Sequence, residues 1–495
     1  MHAAVDAPLD IAVEKHRLRP LARRRASASD MIEEKRSRMA TSRAGTRRDR
    51  GRAALATAGP GRMAAEYEGT VPYGPRLGVA QYRLANGLRL LLIEDHSAPV
   101  AAYHTWFRVG SRHERPGKTG LAHLLEHLMF NEFEGLPAGE FDRRMEQAGA
   151  ETNAATWVDW TYYYEHVPAS QLGMVIELEA RRMGKLVLQD ALVQSELEVV
   201  ANERRYRVED DVDGTVNERL YALAFTRHGY ANPTIGWMQD IQGLTADDCA
   251  RFYRTYYAPN NAVIVVAGHF DELRVVERVT KAYGYLDPVE LPVEDKRPEP
   301  PQTAVRSETL RRPTATDKVA MGVHGPAMGD VDHAPLTLLC DVLFGGRASR
   351  VHRELVRDRE IAIEVRGWVS TFEDPGLVEI QLTAREGHSA EELIDAVETE
   401  LAKVVEAPVT QEEVERAKAR AELALVRELE TCGGKAEQIG FYDVVLGDPG
   451  GAMERLQRYR RVERGDMLRA ARRYFGLQPR TVVTVKPGDG TEAGE

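Results

Sequence analysis

The sequence predicts an α+β protein made of two related halves, and three observations carry that expectation. Strand-like and helix-like apolar patterns are interspersed from about Tyr82 to Val485. Five prolines, Pro288, Pro292, Pro298, Pro300 and Pro301, crowd a charged stretch that reads as an interdomain linker, after which the α+β pattern starts again. The segment "ARFYRTYYAPNNAVIVV" then recurs as "LRAARRYFGLQPRTVVTV" about 218 residues later: helix, aromatic pair, proline loop, apolar strand.

The elements follow in order. Folded chain is expected from near Pro72. "YRLANGLRLLLIED" holds two strands about Asn86-Gly87, a dipeptide suited to the positive φ of a tight hairpin. "VAAYHTWFRVGS" is a strand, and a helix opens at about Thr119 with "GLAHLLEHLMF". "AGEFDRRMEQAGA" is a short helix. "AETNAATWVDWTYYYEHV", rich in Thr, Trp and Tyr, is a strand pair. Helices are expected over 170–188 and 191–208, and over "LTADDCARFYRTYY" with Thr245 as N-cap. "NAVIVVAG" is a buried strand and "DELRVVERVTKAYG" a helix. Beyond the linker, "KVAMGVHG" and "LVEIQLTA" are strands, "APLTLLCDVLFGG" is a helix, and long helices fill 389–429. Superposing Phe130 on Phe344 lays "GLAHLLEHLMF" over the second-half helix. There Thr337, Cys340 and Asp341 take the places of His123, Glu126 and His127.

Composition narrows the class. Hydrophobic residues make up 43% of the 495, enough for substantial cores. No apolar run approaches the roughly 20 residues of a transmembrane helix. Cys249, Cys340 and Cys432 are odd in number and widely spaced, so they read as reduced, buried thiols rather than a disulfide frame or cysteine zinc site. Residues 1–62 hold 13 Arg and 2 Lys against 7 acids, a charge of +8, which leaves −19 of the total −11 for the rest. This segment lacks aromatic residues and is expected to be disordered. Three readings fit it: a nucleic-acid tail, against which stands the absence of interleaved aromatics; a transit peptide, against which stand the seven acids; or a dispensable tail ahead of a start at Met63. Without a secretory h-region and with free thiols, the chain is expected in the cytoplasm, with no nucleic-acid or membrane partner.

"GLAHLLEHLMF" poses the chemical question. His123 and His127, four apart, share a helical face, and Glu126 lies close to it among Leu121, Leu124, Leu125, Leu128 and Met129. An unpaired carboxylate in such surroundings costs several kcal/mol, roughly, and a cation offsets that. From the local pattern a zinc site and a satisfied polar cluster are both open. A catalytic zinc needs a third protein ligand. "QSELEVVANERRYR" offers Glu196 and Glu203, seven apart on one face of a predicted helix.

The surroundings resemble the inverzincin metallopeptidases of the pitrilysin, insulysin and mitochondrial processing peptidase family. "WFRVGSRHERPGKTGLAHLLEHLMF" is similar to that family's signature. "GAETNAATWVDWTYYYEHVP", "YYAPNNAVIVVAGHFD" and "LFGGRASRVHRELVRDREIA" are similar to its later blocks. The resemblance implies two homologous α/β-roll domains, each a mainly antiparallel sheet packed with helices, facing each other across a chamber. It implies one Zn2+ per chain, held by His123, His127 and Glu203, the last in "VVANERR" 76 residues beyond His127. Glu126 becomes the general base and Glu196 a supporting carboxylate. "TNAAT" becomes an edge strand that pairs with the substrate backbone through Asn153 and Ala154.

The resemblance also implies substrate contacts from the second half, in a block like "RGLAY". Here that block reads "REIAI": Arg359 is present, but Ile363 stands where a tyrosine would supply a phenol. The expected function is therefore a zinc-dependent endopeptidase of peptides or unfolded segments, or a non-catalytic or weakly active subunit of a paired complex. A homodimer, or a heterodimer with a non-zinc sister chain, is expected. The boundaries expected are a disordered basic tail over 1–70, the zinc-binding domain over 71–290, a linker over 291–303, a related domain without metal site over 304–487, and a tail over 488–495.

Overall fold

Two sheets organise the chain. In the computed structural model, which describes residues 65–294, 298–476 and 478–488, the first sheet has seven strands: β1 (Ala65–Tyr73), β2 (Leu77–Leu84), β3 (Arg89–Glu94), β4 (Val100–Phe107), β5 (Glu151–Thr156), β6 (Thr161–Pro168) and β7 (Ala262–Gly268). Their order is β1-β2-β3-β7-β4-β6-β5. The second sheet has β8 (Arg306–Arg312), β9 (Lys318–His324), β10 (Ala362–Val369), β11 (Leu377–Ala384) and β12 (Thr481–Pro487), in the order β10-β11-β9-β12-β8. Only β3–β7 and β8–β12 pair in parallel; every other neighbour is antiparallel.

The duplication is legible in this topology. The run β3-β7-β4-β6-β5 has the same order and strand directions as β8-β12-β9-β11-β10. The recurring motif ends in β7 and β12, the strands each sheet inserts beside its parallel partner. The mixed α+β class with two homologous halves is thus the observed architecture.

Helices follow the expected pattern in the first half: α1 (Leu121–Leu128), α2 (Glu140–Gln147), α3 (Leu172–Lys185) and α4 (Asp190–Arg204). Next come α5 (Val212–Ala224), α6 (Ala246–Tyr256) and α7 (Glu272–Tyr283). The Thr245 hydroxyl does cap α6, accepting the Asp248 N–H at 3.2 Å. The second half has α8 (His333–Phe344), α9 (Ala390–Glu406), α10 (Gln411–Glu428), α11 (Cys432–Leu446), α12 (Gly451–Arg461) and α13 (Arg464–Ala471).

Strand β7 shows how the layers form. Ile264 and Val266 face the core built with α1, α3 and α7, while Val263, Val265 and Ala267 face a second core completed by Ala436 and Ile439 of α11. A strand covered on both faces must be apolar throughout, hence "NAVIVVAG".

That covering helix belongs to the other half. α11 lies on β4 and β7 of the first sheet, and α5 lies on β9 and β12 of the second. Each half thus lends one helix to its neighbour's sheet. Gly440 of α11 permits the approach: a Cβ there would sit 2.1 Å from Trp106 Nε1. Across the other junction Val216, Leu220 and Ala224 pack on Ala320, Val483 and Val485. Asp443 of α11, fully buried, takes Arg89 at 2.9 Å and Arg108 at 2.7 Å from the first half.

Exchanged helices and shared apolar cores join the two halves. One expectation needs correction. The chain is ordered before Pro72, because Ala65–Tyr73 forms edge strand β1. Burial alternates along all of β1, although its pairing with β2 shifts register at a bulge between Tyr67 and Gly69. The remainder of the expected basic tail, the possible start at Met63, part of the linker and nearly all of the C-terminal tail lie outside the described residues. The three cysteines are free, Cys249 and Cys340 buried. Among the described residues no helix is long and apolar enough to cross a membrane.

Candidate metal centre

Helix α1 starts under tight backbone control. Gly120 adopts φ 88°, and a Cβ on it would meet Ile235 O at 2.7 Å. Glu114 receives the Gly120 and Ala122 N–H groups, each at 2.8 Å, where α1 leaves its first donors unpaired. Burial, partly offset by these hydrogen bonds, raises the Glu114 carboxyl to about 8. Leu121, Ala122, Leu124, Leu125 and Leu128 pin the helix into the first-half core. His123, Glu126 and His127 then occupy the face turned to α4 and β5, both of which pack on α1.

Helix α4 carries Glu196 and Glu203 to that face. Glu203 Oε2 lies 3.2 Å from His127 Nε2 and 3.5 Å from His123 Nε2. Ligand atoms of these three residues all fall within 4.8 Å of one another. Tetrahedral zinc with bonds of about 2.0–2.2 Å separates its ligands by roughly 3.3–3.6 Å. Glu203 Oε2 is also buried and makes no hydrogen bond, though two imidazole nitrogens stand close. That is the geometry of donors arranged around a shared cation, and the trio fits a zinc ion.

The electrostatics agree. Burial and its neighbour His127 push His123 down to about 4. Burial works against charge on His127 too, but Glu196 and Glu203 outweigh it and raise the imidazole to about 9. Burial is likewise the largest influence on Glu203, yet His127, His123 and Arg207 together pull its carboxylate down to about 2. Burial raises the Glu126 carboxyl, with Thr156 of β5 pulling the other way. A carboxyl raised in this way is better suited to holding and passing on a proton than a free one.

Glu196 stands behind His127, Oε2 to Nδ1 at 3.5 Å. Asn153 and Ala154 lie on β5, the outermost strand of the first sheet beside α1, and the Ala154 N–H donates to Asn153 Oδ1 at 2.9 Å. Arg359 is not brought to this cluster. It pairs with Glu392 of the second half at 3.3 Å, and Ile363 is 58% exposed on β10, the edge of the other sheet.

Three further residues escaped the sequence reading. Glu114 caps α1, Asn131 Nδ2 donates to Glu196 Oε1 at 2.9 Å, and Arg207 Nε lies 2.9 Å from Glu203 Oε1. The i, i+4 spacing of Glu203 and Arg207 was a usable signal; Asn131 left none, since its contact joins the loop after α1 to the distant α4.

Fold and cluster together define a duplicated α+β metallopeptidase scaffold with one inverted histidine–glutamate motif. Comparison with known proteins agrees. The family model described as insulinase (peptidase family M16) matches residues 89–237, and that described as peptidase M16 inactive domain matches 243–421. Zinc protease PqqE of Helicobacter pylori is 30% identical over 409 residues, covering 82% of this chain and 92% of that protein. An uncharacterized zinc protease of Streptomyces coelicolor is 29% identical, covering 81% and 88%. Among solved structures, a protease from Helicobacter pylori superposes with a TM-score of 0.80 at 29% identity, covering 83% of this chain and 99% of that one. The chain belongs to the insulinase family of peptidases, M16.

Proposed function

We propose that the chain is a zinc-dependent endopeptidase acting on peptides or unfolded protein segments, with one Zn2+ held by His123, His127 and Glu203. The observation that carries this is the convergence of those three donors beside the half-buried Glu126. When bound, zinc would polarise the scissile carbonyl and acidify a water molecule. Glu126 takes the proton from that water and returns it to the leaving amine. Glu196, steadied by Asn131, holds the far nitrogen of His127 and with it the ring orientation. β5, through Asn153 and Ala154, offers backbone groups to an extended substrate, which favours unfolded segments over folded ones. Glu126→Gln is expected to retain one zinc per chain by elemental analysis while losing hydrolysis of a mixed peptide library. Wild-type turnover by that variant would sink the mechanism.

A second reading, a weakly active subunit that needs a partner, draws on the placement of Arg359 and Ile363. Arg359 is engaged by Glu392, and Ile363 offers no donor, so the second half brings neither group to Glu126 within one chain. A second copy or a sister chain would then complete the substrate site. Peptide hydrolysis that rises with protein concentration, followed beside the mass in solution, separates the two readings.

A further inference from the structure

The segment that follows Glu203 is built to present one arginine. After α4 the chain makes a wide turn over Arg205–Glu209, closed by Asp210 N–H to Arg205 O at 2.8 Å. The start of α5 locks this turn. Thr215 Oγ1 donates to Val208 O at 2.5 Å, and Gly214 packs so close that a Cβ would lie 1.9 Å from Arg207 O. Only glycine fits there, although it weakens the first turn of α5. Neighbouring arginines point elsewhere: Arg204 to Glu218 and the Gly236 carbonyl, Arg205 to Asn202.

Arg207 alone of these turns back on Glu203. The two carboxylate oxygens divide their contacts: Oε2 faces His123 and His127, and Oε1 meets Arg207 Nε at 2.9 Å. A carboxylate free at its outer oxygen can rotate, or bind a cation through both oxygens. One held by a guanidinium can do neither without breaking a charge-assisted hydrogen bond. Groups that fix a ligand in this way are typically worth about 10–100-fold in metal affinity.

We propose that Arg207 is the positioning residue for Glu203, holding its outer oxygen so that the inner one alone is aimed between His123 and His127. This rests on the zinc reading above. Because Arg207 is pinned by the first turn of α5, and α5 packs on the second sheet, the helix exchange itself supports the geometry of the centre.

The test uses the full chain, stripped of metal, as wild type, Arg207→Ala, Arg207→Lys and Glu203→Gln. Zn2+ affinity is read by competition with a chromophoric chelator, and coordination by the visible absorption of the Co2+ form. The Arg207 side chain is 55% exposed, so its variants are expected to fold, which thermal melts check. Arg207→Ala should bind Zn2+ about 10–100-fold more weakly. It should also lose Co2+ absorption intensity, as the released carboxylate adds its second oxygen and raises the coordination number. Arg207→Lys should lie closer to wild type than to the alanine variant. If Arg207→Ala keeps wild-type affinity and spectrum while Glu203→Gln loses zinc, the role of Arg207 is overturned and the metal centre stands. If the wild type itself takes up no zinc, both readings fall.

Discussion

The surroundings of a few enclosed carboxyls move their protonation in different directions. Glu203 and Glu126 sit within one cluster yet move in opposite directions, the first held down by His127, His123 and Arg207, the second raised by burial. Glu379 of β11 gives a cleaner measurable case. It is buried, accepts from Tyr221 Oη at 2.6 Å and Trp368 Nε1 at 3.1 Å, and is raised by burial to about 7. A carboxyl raised above its unfolded value contributes stability that is complete below the unfolded pKa of about 4.3 and is lost as pH climbs through 7. Glu379→Gln should therefore gain melting temperature relative to wild type at pH 8 compared with pH 5. An offset equal at both pH values would refute the assignment.

At the scale of elements, the exchanged helices α5 and α11 are the parts the sequence concealed. α5 was not anticipated: "DVDGTVNERLYALA" carries a glycine in its first turn, and three charged residues within the helix interrupt its short apolar stripe. It is helical because the second sheet offers it a surface, and because Asp211 Oδ2 caps it through the Gly214 N–H at 2.8 Å. By contrast α1, β7, α6 and the β2–β3 hairpin were readable, since apolar period, cap residues and Asn86-Gly87 are local signals. The α11 junction supplies a test of magnitude. Asp443 is fully buried between two arginines, and removing one partner of a buried pair costs about 3–5 kcal/mol. Arg108 keeps part of its exposure, so Asp443→Ala should cost about 3 kcal/mol in chemical denaturation. The Asp213–Lys318 pair of the α5 junction, with Asp213 65% exposed, should give about 1 kcal/mol or less. Equal losses would show that burial does not govern these pairs.

For the whole molecule, the duplication has kept a scaffold and diversified one corner of it. In the second half Asp341, at the place of His127, pairs with Arg420 of α10 at 2.9 Å, where the first half instead gathers two histidines and a glutamate. The interlocked helices also predict how the molecule melts. Each half completes a core of the other, so calorimetry should show one cooperative transition. Proteolytic nicking within the Pro-rich linker should leave the two fragments associated. Two well-separated transitions, or a folded isolated half, would refute this coupling.

The sequence by itself determined the class of fold, the duplicated order of elements, and the histidine–glutamate helix with its distant glutamate, because all of these are written in local periodicity, fixed spacing and one long recognisable motif. Tertiary structure decided the rest. It joined the halves by exchanging α5 and α11, left Arg359 paired with Glu392, and brought Asn131 onto Glu196 and Arg207 onto Glu203. These outcomes depend on which surfaces meet across long sequence separations. Burial and pairing energies act only once the surfaces are assembled, and no local pattern in the chain records them in advance.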